Sequence, residues 1–218
     1  MALAYGCVAD DFTGATDLAG NLAGRGFRTV VVIGADGAAG PFSPDVDAVV
    51  VALKTRTAPP AVAVEESLRA SRALLAAGAA QLWLKYCSTF DSTPEGNIGP
   101  VLDALLDLTG GVTVAVPSFP AAGRTVYRSH LFVHDQLLGD SPLRHHPLTP
   151  MTRSDLRVLL AEQSRTPVDA VHLDTVRPAP PPCAPCSTPT RDPGSSSRTP
   201  WTTTTCGSSP RRPRTSGS

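Results

Sequence analysis

The composition of the chain changes abruptly at Arg177/Pro178, and this change limits what the sequence can fold into. Up to Arg177, apolar runs alternate with polar segments, as in a globular domain. From Pro178 to Ser218 there is no Ile, Leu, Val, Met or Phe, and Pro, Ser, Thr and Arg dominate. Such a segment cannot offset the conformational entropy that is lost on ordering. We therefore expect one domain over 1–177 and a disordered, low-complexity tail over 178–218.

Charge and cysteine content exclude several classes of protein. The formal net charge is zero and the basic residues are scattered, which argues against a nucleic-acid partner. The N-terminus lacks the charged and apolar regions of a signal peptide, and no apolar run is long enough to span a membrane. The five cysteines, three of them in the tail, do not form a disulfide pattern. We expect a reduced, cytoplasmic protein without a membrane partner.

The order of apolar runs and amphipathic segments predicts an α/β fold. Short continuous apolar runs alternate with helical patterns, which is typical of a parallel sheet covered by helices on both faces, a three-layer domain. The predicted strands are 4–10, 30–34, 48–53, 81–85 and 112–116. The predicted helices are 15–25, 61–77 and 98–108, the first two ending at Gly26 and Gly78. Ligands bind such sheets at the carboxyl ends of the strands, where the polar motifs of this chain lie.

Two adjacent carboxylates, Asp10 and Asp11, end the first predicted strand. A turn containing Thr13 and Gly14 follows and leads into a helix. In one interpretation a carboxylate acts as an acid or base beside outward-pointing N–H groups. Only one of the two then reaches the ligand, because adjacent strand residues face opposite ways. In the other interpretation, Asp11 or Thr13 simply caps the helix.

Cationic side chains follow the third predicted strand. Arg56, two residues after Lys54, could bind a carboxylate or phosphate through two parallel hydrogen bonds. The alternative is ordinary surface charge. Further along, Arg124 lies in a Pro- and Gly-containing segment that follows the last predicted strand.

The loop from Lys85 to Gly99 is the densest polar segment. It combines Lys85, several hydroxyls, Asp91 and a Gly-containing helix start, which favours a hydroxylated or anionic ligand. The alternative is a purely structural turn. The spacing of a Walker phosphate loop is missing.

We predict no metal site. The adjacent His145 and His146 point apart and have no carboxylate partner at ligand spacing. The pair Cys183 and Cys186 has no second pair and lies in the tail.

Four segments together resemble the four-carbon acid sugar kinase family, with the 3-oxo-tetronate kinase branch nearest. They are Ala9–Ala15, Lys85–Gly99, Gly123–Tyr127 and Arg144–Met151. The resemblance covers residues 4–177. It implies an N-terminal domain that binds a four-carbon acid sugar and a C-terminal domain that binds ATP and Mg²⁺. Together these transfer the γ-phosphoryl group to the terminal hydroxyl of the acid.

The resemblance also implies roles for individual residues. Asp10 or Asp11 would be the base, and Arg56 and Arg124 would bind the substrate carboxylate. The remaining substrate-binding residues would be Thr13, Gly14, Lys85, Ser88, Asp91, Gly96 and Asn97.

The chain departs from the family where the ATP-binding domain would follow. We therefore expect that it binds no nucleotide tightly, is inactive as a kinase alone, and has a surface that would contact a missing C-terminal kinase domain. One alternative is a kinase assembled with a separately encoded ATP domain. Another is a non-catalytic sugar-acid-binding module, or an unstable product that is cleared by proteolysis.

The tail itself suggests a reading-frame shift. If the serines of 202–209 are encoded by TCN, stepping back one base gives Asp-Asp-Asp-Asp-Leu-Arg-Leu-Ile, a credible helix start. The alternative is a genuine Pro-, Ser- and Thr-rich linker.

Overall fold

A computed structural model describes residues 3–176, and the expectations for the tail lie outside that range. A four-stranded parallel sheet in the order β2-β3-β1-β4 forms its centre, as an α/β fold requires. The strands of this sheet are β1 (Tyr5–Ala9), β2 (Thr29–Ile33), β3 (Ala48–Ala52) and β4 (Gln81–Lys85). The helices are α1 (Phe12–Ala23), α2 (Pro60–Ala76), α3 (Ile98–Thr109), α4 (Leu156–Gln163) and α5 (Leu173–Val176). Short 3-10 helices cover Ala35–Ala39, Pro120–Ala122, Leu138–Asp140 and Pro142–His145.

Helices cover both faces of the parallel sheet, which confirms the three-layer arrangement. Every residue of β3 is buried, because α1 packs on one face and α2 on the other. Val50 contributes to the core beneath α1, whereas Val49 and Val51 contribute to the core beneath α2. Alternate residues of one strand thus fill opposite cores, and β-branched side chains suit this doubly buried position.

The first helix begins earlier than predicted. It starts at Phe12 rather than Ala15, because the Asp11 side chain accepts a hydrogen bond from the Gly14 amide at 2.7 Å and caps it. The helix ends at Ala23, and Gly26 lies just beyond it with φ at +90°. The predicted loop over Phe12–Gly14 is therefore the first helical turn.

The predicted strand over 112–116 is wrong. Val112 is 95% exposed and Val114 is 82% exposed, and neither belongs to a strand. Gly110 and Gly111, both at positive φ, redirect the chain after α3. A groove of about 600 Å³ separates this segment from β4. The segment therefore does not pair with β4, which remains an edge strand of the sheet. β-branched composition favours an extended backbone but does not supply a pairing partner.

A second, antiparallel sheet was not predicted from the sequence. It consists of β5 (Arg124–Tyr127), β6 (His130–Val133) and β7 (Gln136–Leu137). Arg128 and Ser129 turn the first hairpin with φ at +48° and +68°, as a two-residue type I′ turn requires.

This sheet packs with α3 and α4 around a separate apolar core. The buried members of that core are Phe90, Ile98, Leu102, Leu131, Leu138, Met151, Leu156 and Leu159. Phe90 belongs to the loop that follows β4, so the core fixes this loop from below. No helix within 3–176 is both long and apolar enough to cross a membrane.

Replacing Gly99 by alanine should destabilise the fold by about 1–3 kcal/mol. The added Cβ would lie 2.5 Å from the Cβ of Gln163 and 2.7 Å from its carbonyl carbon, so α4 would have to move. Urea unfolding followed by circular dichroism measures the change.

Gly20→Ala is the matched control for this substitution. Gly20 is exposed on α1 and a Cβ there meets no atom within 4 Å. Since alanine is the better helix former, this variant should gain about 0.5–1 kcal/mol. Equal effects of the two substitutions would contradict the packing argument.

Candidate functional site

An ion pair between Asp10 and Arg56 lies at the carboxyl ends of β1 and β3. The Nε of Arg56 donates to Oδ2 of Asp10 at 3.1 Å, and Nη2 donates to Oδ1 at 2.7 Å. The backbone N–H groups of Thr55 and Arg56 both donate to the carbonyl of Asp10, at 2.9 and 3.1 Å. Backbone and side chain thus hold Arg56 against the same residue. Neighbouring parallel strands place their ends together, and this brings the two sequence-distant motifs into contact.

Asp11 joins the same guanidinium. Its Oδ2 lies 2.8 Å from Nη1 of Arg56, while its Oδ1 caps α1. The capping interpretation of the Asp10–Asp11 motif is therefore correct for Asp11 and does not hold for Thr13. Capping leaves Asp11 free to serve the site as well, since one oxygen faces the helix and the other faces Arg56. We call Asp10, Asp11 and Arg56 the carboxylate–guanidinium cluster.

Burial sets the protonation behaviour of the cluster. The side chains of Asp10 and Asp11 are 11% and 25% exposed. Burial raises the pKa of Asp10, and the hydrogen bond and charge of Arg56 oppose this rise. Burial also disfavours the charged form of Arg56, but its hydrogen bond to Asp10 raises the Arg56 pKa overall, and the guanidinium stays charged.

Lys85, at the end of β4, lies beside the cluster. Its charge lowers the pKa of Asp10, and its Nζ lies 3.3 Å from the point where a Gly14 Cβ would stand. Nζ donates to the Tyr86 carbonyl at 3.0 Å. Gly14 therefore has a reason to be glycine, because a Cβ there would also approach Asp11 to 2.6 Å. Lys85 and Ser88 both line the groove beside β4.

Asn97 is buried below the cluster. Its amide nitrogen donates to three carbonyls, those of Thr55 at 2.6 Å, Arg56 at 3.0 Å and Ala58 at 3.4 Å. These carbonyls belong to the loop that carries Arg56. Sequence reasoning did not find this contact, and a direct role of Asn97 in ligand binding remains a prediction.

Asp91 contacts residues that were not assigned roles from the sequence. Thr149 donates its hydroxyl to Oδ1 of Asp91, and this hydroxyl also lies 2.9 Å from Nδ1 of His146. The available signal was the polar segment from Arg144 to Thr149, which also contributes to the family resemblance, although neither His146 nor Thr149 was predicted to bind a ligand. Residues 3–176 contain no group of three or more His, Cys, Asp or Glu arranged to hold a metal ion.

Gln163 is a further unpredicted residue. Its amide nitrogen donates to Ser92 Oγ at 2.8 Å and to the Thr93 carbonyl, while its oxygen accepts from Gly99 at 2.9 Å. A Cβ on Gly96 would collide with Ser92. The second half of the Lys85–Gly99 loop is thus tied to α4.

Two predicted residues lie apart from these contacts. Arg124 donates to the Ala122 carbonyl, and its buried Nε has no hydrogen-bond partner among residues 3–176. Within the described range, no hydrogen bond or ion pair joins Arg124 to the carboxylate–guanidinium cluster. Thr13 is exposed on the first turn of α1.

Removing Arg56 should make stability depend more strongly on pH. Without Arg56 the pKa of Asp10 rises further, since the hydrogen bond and charge of Arg56 no longer oppose the effect of burial. An acid whose folded-state pKa exceeds its unfolded value loses stability as pH rises through that interval. Arg56→Ala should therefore lose more stability at about pH 7.5 than at about pH 5. The loss at the higher pH should be about 3 kcal/mol, measured by urea unfolding.

Two further variants test the cause. Asp10→Asn combined with Arg56→Ala should recover most of the loss at the higher pH, because no buried charge remains. Arg28→Ala removes an exposed pair with the same bidentate geometry. There the hydrogen bond from Arg28 lowers the pKa of Asp47 to about 2, so its contribution is lost only as pH falls. A pH response of Arg56→Ala no larger than that of Arg28→Ala would contradict the assignment.

Comparison with known proteins agrees with this architecture. Residues 5–185 match the family described as sugar-binding N-terminal domain. A 3-oxo-tetronate kinase of Burkholderia multivorans is 55% identical over 172 residues, which are 78% of this chain and 40% of that protein. The 3-oxo-tetronate kinase of Escherichia coli is 50% identical over 73% of this chain and 41% of its own length. The chain thus spans about two fifths of the length of these curated relatives.

Solved structures show the same fold. A protein from Salmonella typhimurium described as a putative tRNA synthase superposes with a TM-score of 0.77 at 46% identity, over 80% of this chain and 42% of that one. A domain of unknown function from Bordetella bronchiseptica, solved with bound citrate as a domain-swapped dimer, gives 0.63 at 30% identity. The match covers 74% of this chain and 41% of the Bordetella chain. Since the family match extends over most of the sequence, this chain belongs to the sugar-binding N-terminal domain family.

Proposed function

We propose that residues 3–176 form the acid-sugar-binding half of a kinase that phosphorylates the terminal hydroxyl of a four-carbon acid sugar. The observation that carries this proposal is the carboxylate–guanidinium cluster beside Lys85 at the carboxyl ends of the strands. The 3-oxo-tetronate kinases that this chain resembles support the substrate class. The citrate held by the Bordetella relative supports a small carboxylic acid as the ligand.

Asp10 and Asp11 take different roles in this proposal. Asp11 is the more exposed carboxylate, so it is the one that accepts a hydrogen bond from a substrate hydroxyl and orients it. Both oxygens of Asp10 are engaged by Arg56, and Asp10 therefore holds the guanidinium in place. Arg56 also contacts Asp11, whose Oδ2 lies 2.8 Å from Nη1, and this contact fixes the position of that carboxylate.

The substrate carboxylate needs a cation whose charge is not already balanced. Arg56 is paired with two carboxylates, whereas neither Lys85 nor Arg124 forms an ion pair with another described residue. Lys85 borders both the cluster and the groove beside β4, and Ser88 lines the same groove. We therefore assign the substrate carboxylate first to Lys85 and then to Arg124. Ser88 and Asp91 would bind hydroxyls of the acid.

Nucleotide chemistry belongs to the whole kinase. ATP with Mg²⁺ supplies the phosphoryl group in such a reaction. Residues 3–176 carry no Walker-type phosphate loop and no group of three or more His, Cys, Asp or Glu arranged to hold a metal ion. Their part in the reaction is to bind and orient the acceptor, which contributes most of what a protein adds to phosphoryl transfer besides charge stabilisation.

Substitution of Lys85 tests the assignment. Titration calorimetry of the full chain with D-threonate, erythronate and a 3-oxo-tetronate should detect binding of at least one acid. Lys85→Met should raise its Kd about 10- to 100-fold, because a charge-assisted hydrogen bond is lost. Lys54→Met, at an exposed lysine after β3, is the control and should change Kd less than about twofold.

Two binding results would contradict the proposal. Absence of binding by all three acids would refute the acid-binding role, and equal effects of the two lysine variants would refute the assignment of Lys85. An ADP-release assay on the same protein should show no turnover. Turnover by this chain alone would show that it contains a nucleotide site and would contradict a purely acid-binding role.

A further inference from the structure

At the start of α3, the residue in the N-cap position does not cap the helix, and a residue from α4 caps it instead. Asn97 occupies the N-cap position, where an Asn side chain ordinarily accepts a hydrogen bond from the first turn of its own helix. Here its side chain makes no such bond. Gln163, from the last turn of α4, accepts from the Gly99 amide at 2.9 Å instead. A residue 64 positions away therefore caps α3.

Because Gln163 caps α3, the side-chain amide of Asn97 can donate hydrogen bonds to the loop that carries Arg56. Three carbonyl oxygens, all acceptors, surround its nitrogen at 2.6, 3.0 and 3.4 Å. Asn97 is 6% exposed and the neighbouring Thr55 is 5% exposed, so no bulk water competes for these bonds. Buried carbonyls that lose their donor carry a desolvation penalty, and the loop would rearrange to avoid it.

The clamped loop leads directly to the cluster. The Arg56 carbonyl is one of the three acceptors, and the same residue's guanidinium reaches Asp10 and Asp11. Two partners therefore hold the loop. Asn97 donates to carbonyls of the loop, and the Asp10 carbonyl accepts from two of its N–H groups.

We propose that Asn97 is a positioning residue that sets the Arg56 guanidinium against Asp11 and thereby tunes acid-sugar binding without contacting the ligand. Its effect on binding rests on the function proposed above, whereas its effect on Arg56 does not. Asn97→Ser is the decisive variant. Serine is a good N-cap and supports α3, but its hydroxyl is too short to reach all three carbonyls.

Two-dimensional ¹⁵N–¹H NMR of arginine Nε–Hε groups reports directly on this role. The full chain carries Arg28, whose Nε donates to Asp47 at 3.0 Å on the surface, as an internal reference. In Asn97→Ser the Arg56 Nε–Hε signal should shift and its exchange with water should accelerate about tenfold, while the Arg28 signal stays unchanged. The Kd of the acid that the native chain binds should rise about tenfold as well.

Asp103→Asn is the matched control. Asp103 is equally buried on the same helix, and it accepts from Ser164 Oγ, Thr166 Oγ1 and the Arg165 amide at 2.6 to 2.9 Å. The Asp103→Asn substitution should lower the unfolding temperature of the chain. It should leave the Arg56 Nε–Hε signal and the Kd of the acid unchanged. An unaltered Arg56 signal in Asn97→Ser would overturn the proposal, as would an equal disturbance in Asp103→Asn. If the native chain binds none of the acids, the proposed function fails, and the NMR comparison still decides the role of Asn97.

Discussion

Two carboxylates that share one guanidinium at the end of β1 connect almost every polar feature of the site. Asp10 is nearly buried, and a buried carboxylate needs a partner, so Arg56 must be held where it can supply two hydrogen bonds. Hydrogen bonds from Asn97 hold the loop that carries Arg56. Lys85 adds a second positive charge beside the cluster. Two negative and two positive groups therefore lie close together at this edge of the sheet.

The same cluster explains why the start of α1 has its particular sequence. Asp11 caps the helix through one oxygen and contacts Arg56 through the other. Gly14 must lack a side chain, because a Cβ would press against Asp11 and approach Lys85. The carboxylate that caps the helix is thus also a partner of Arg56. Capping therefore does not exclude the role that we propose for Asp11 in ligand binding.

Local sequence predicted the parallel sheet well and the rest of the chain less well. β1 and β3 are short apolar runs that are almost fully buried, whereas β2 and β4 at the edges of the sheet are partly exposed. The local pattern of the sequence located all four strands to within one residue. The segment 112–116 has the same pattern without a pairing partner, which no local pattern reveals. β5 to β7 were missed because they are only two to four residues long, which is too short for a clear pattern. Asp10, Asp11, Arg56 and Lys85 were brought together as expected from their positions at strand ends. The pairing of Arg56 with Asp10, and the use of Asn97 and Gln163, depend on contacts between distant parts of the chain.

Those distant contacts give the site a folding history that differs from that of the sheet. Asn97 meets its acceptors 39 to 42 residues away, and Gln163 meets its partners 64 to 71 residues away. During synthesis, the four parallel strands emerge well before α4. The sheet can therefore assemble while Gln163 is not yet available to cap α3.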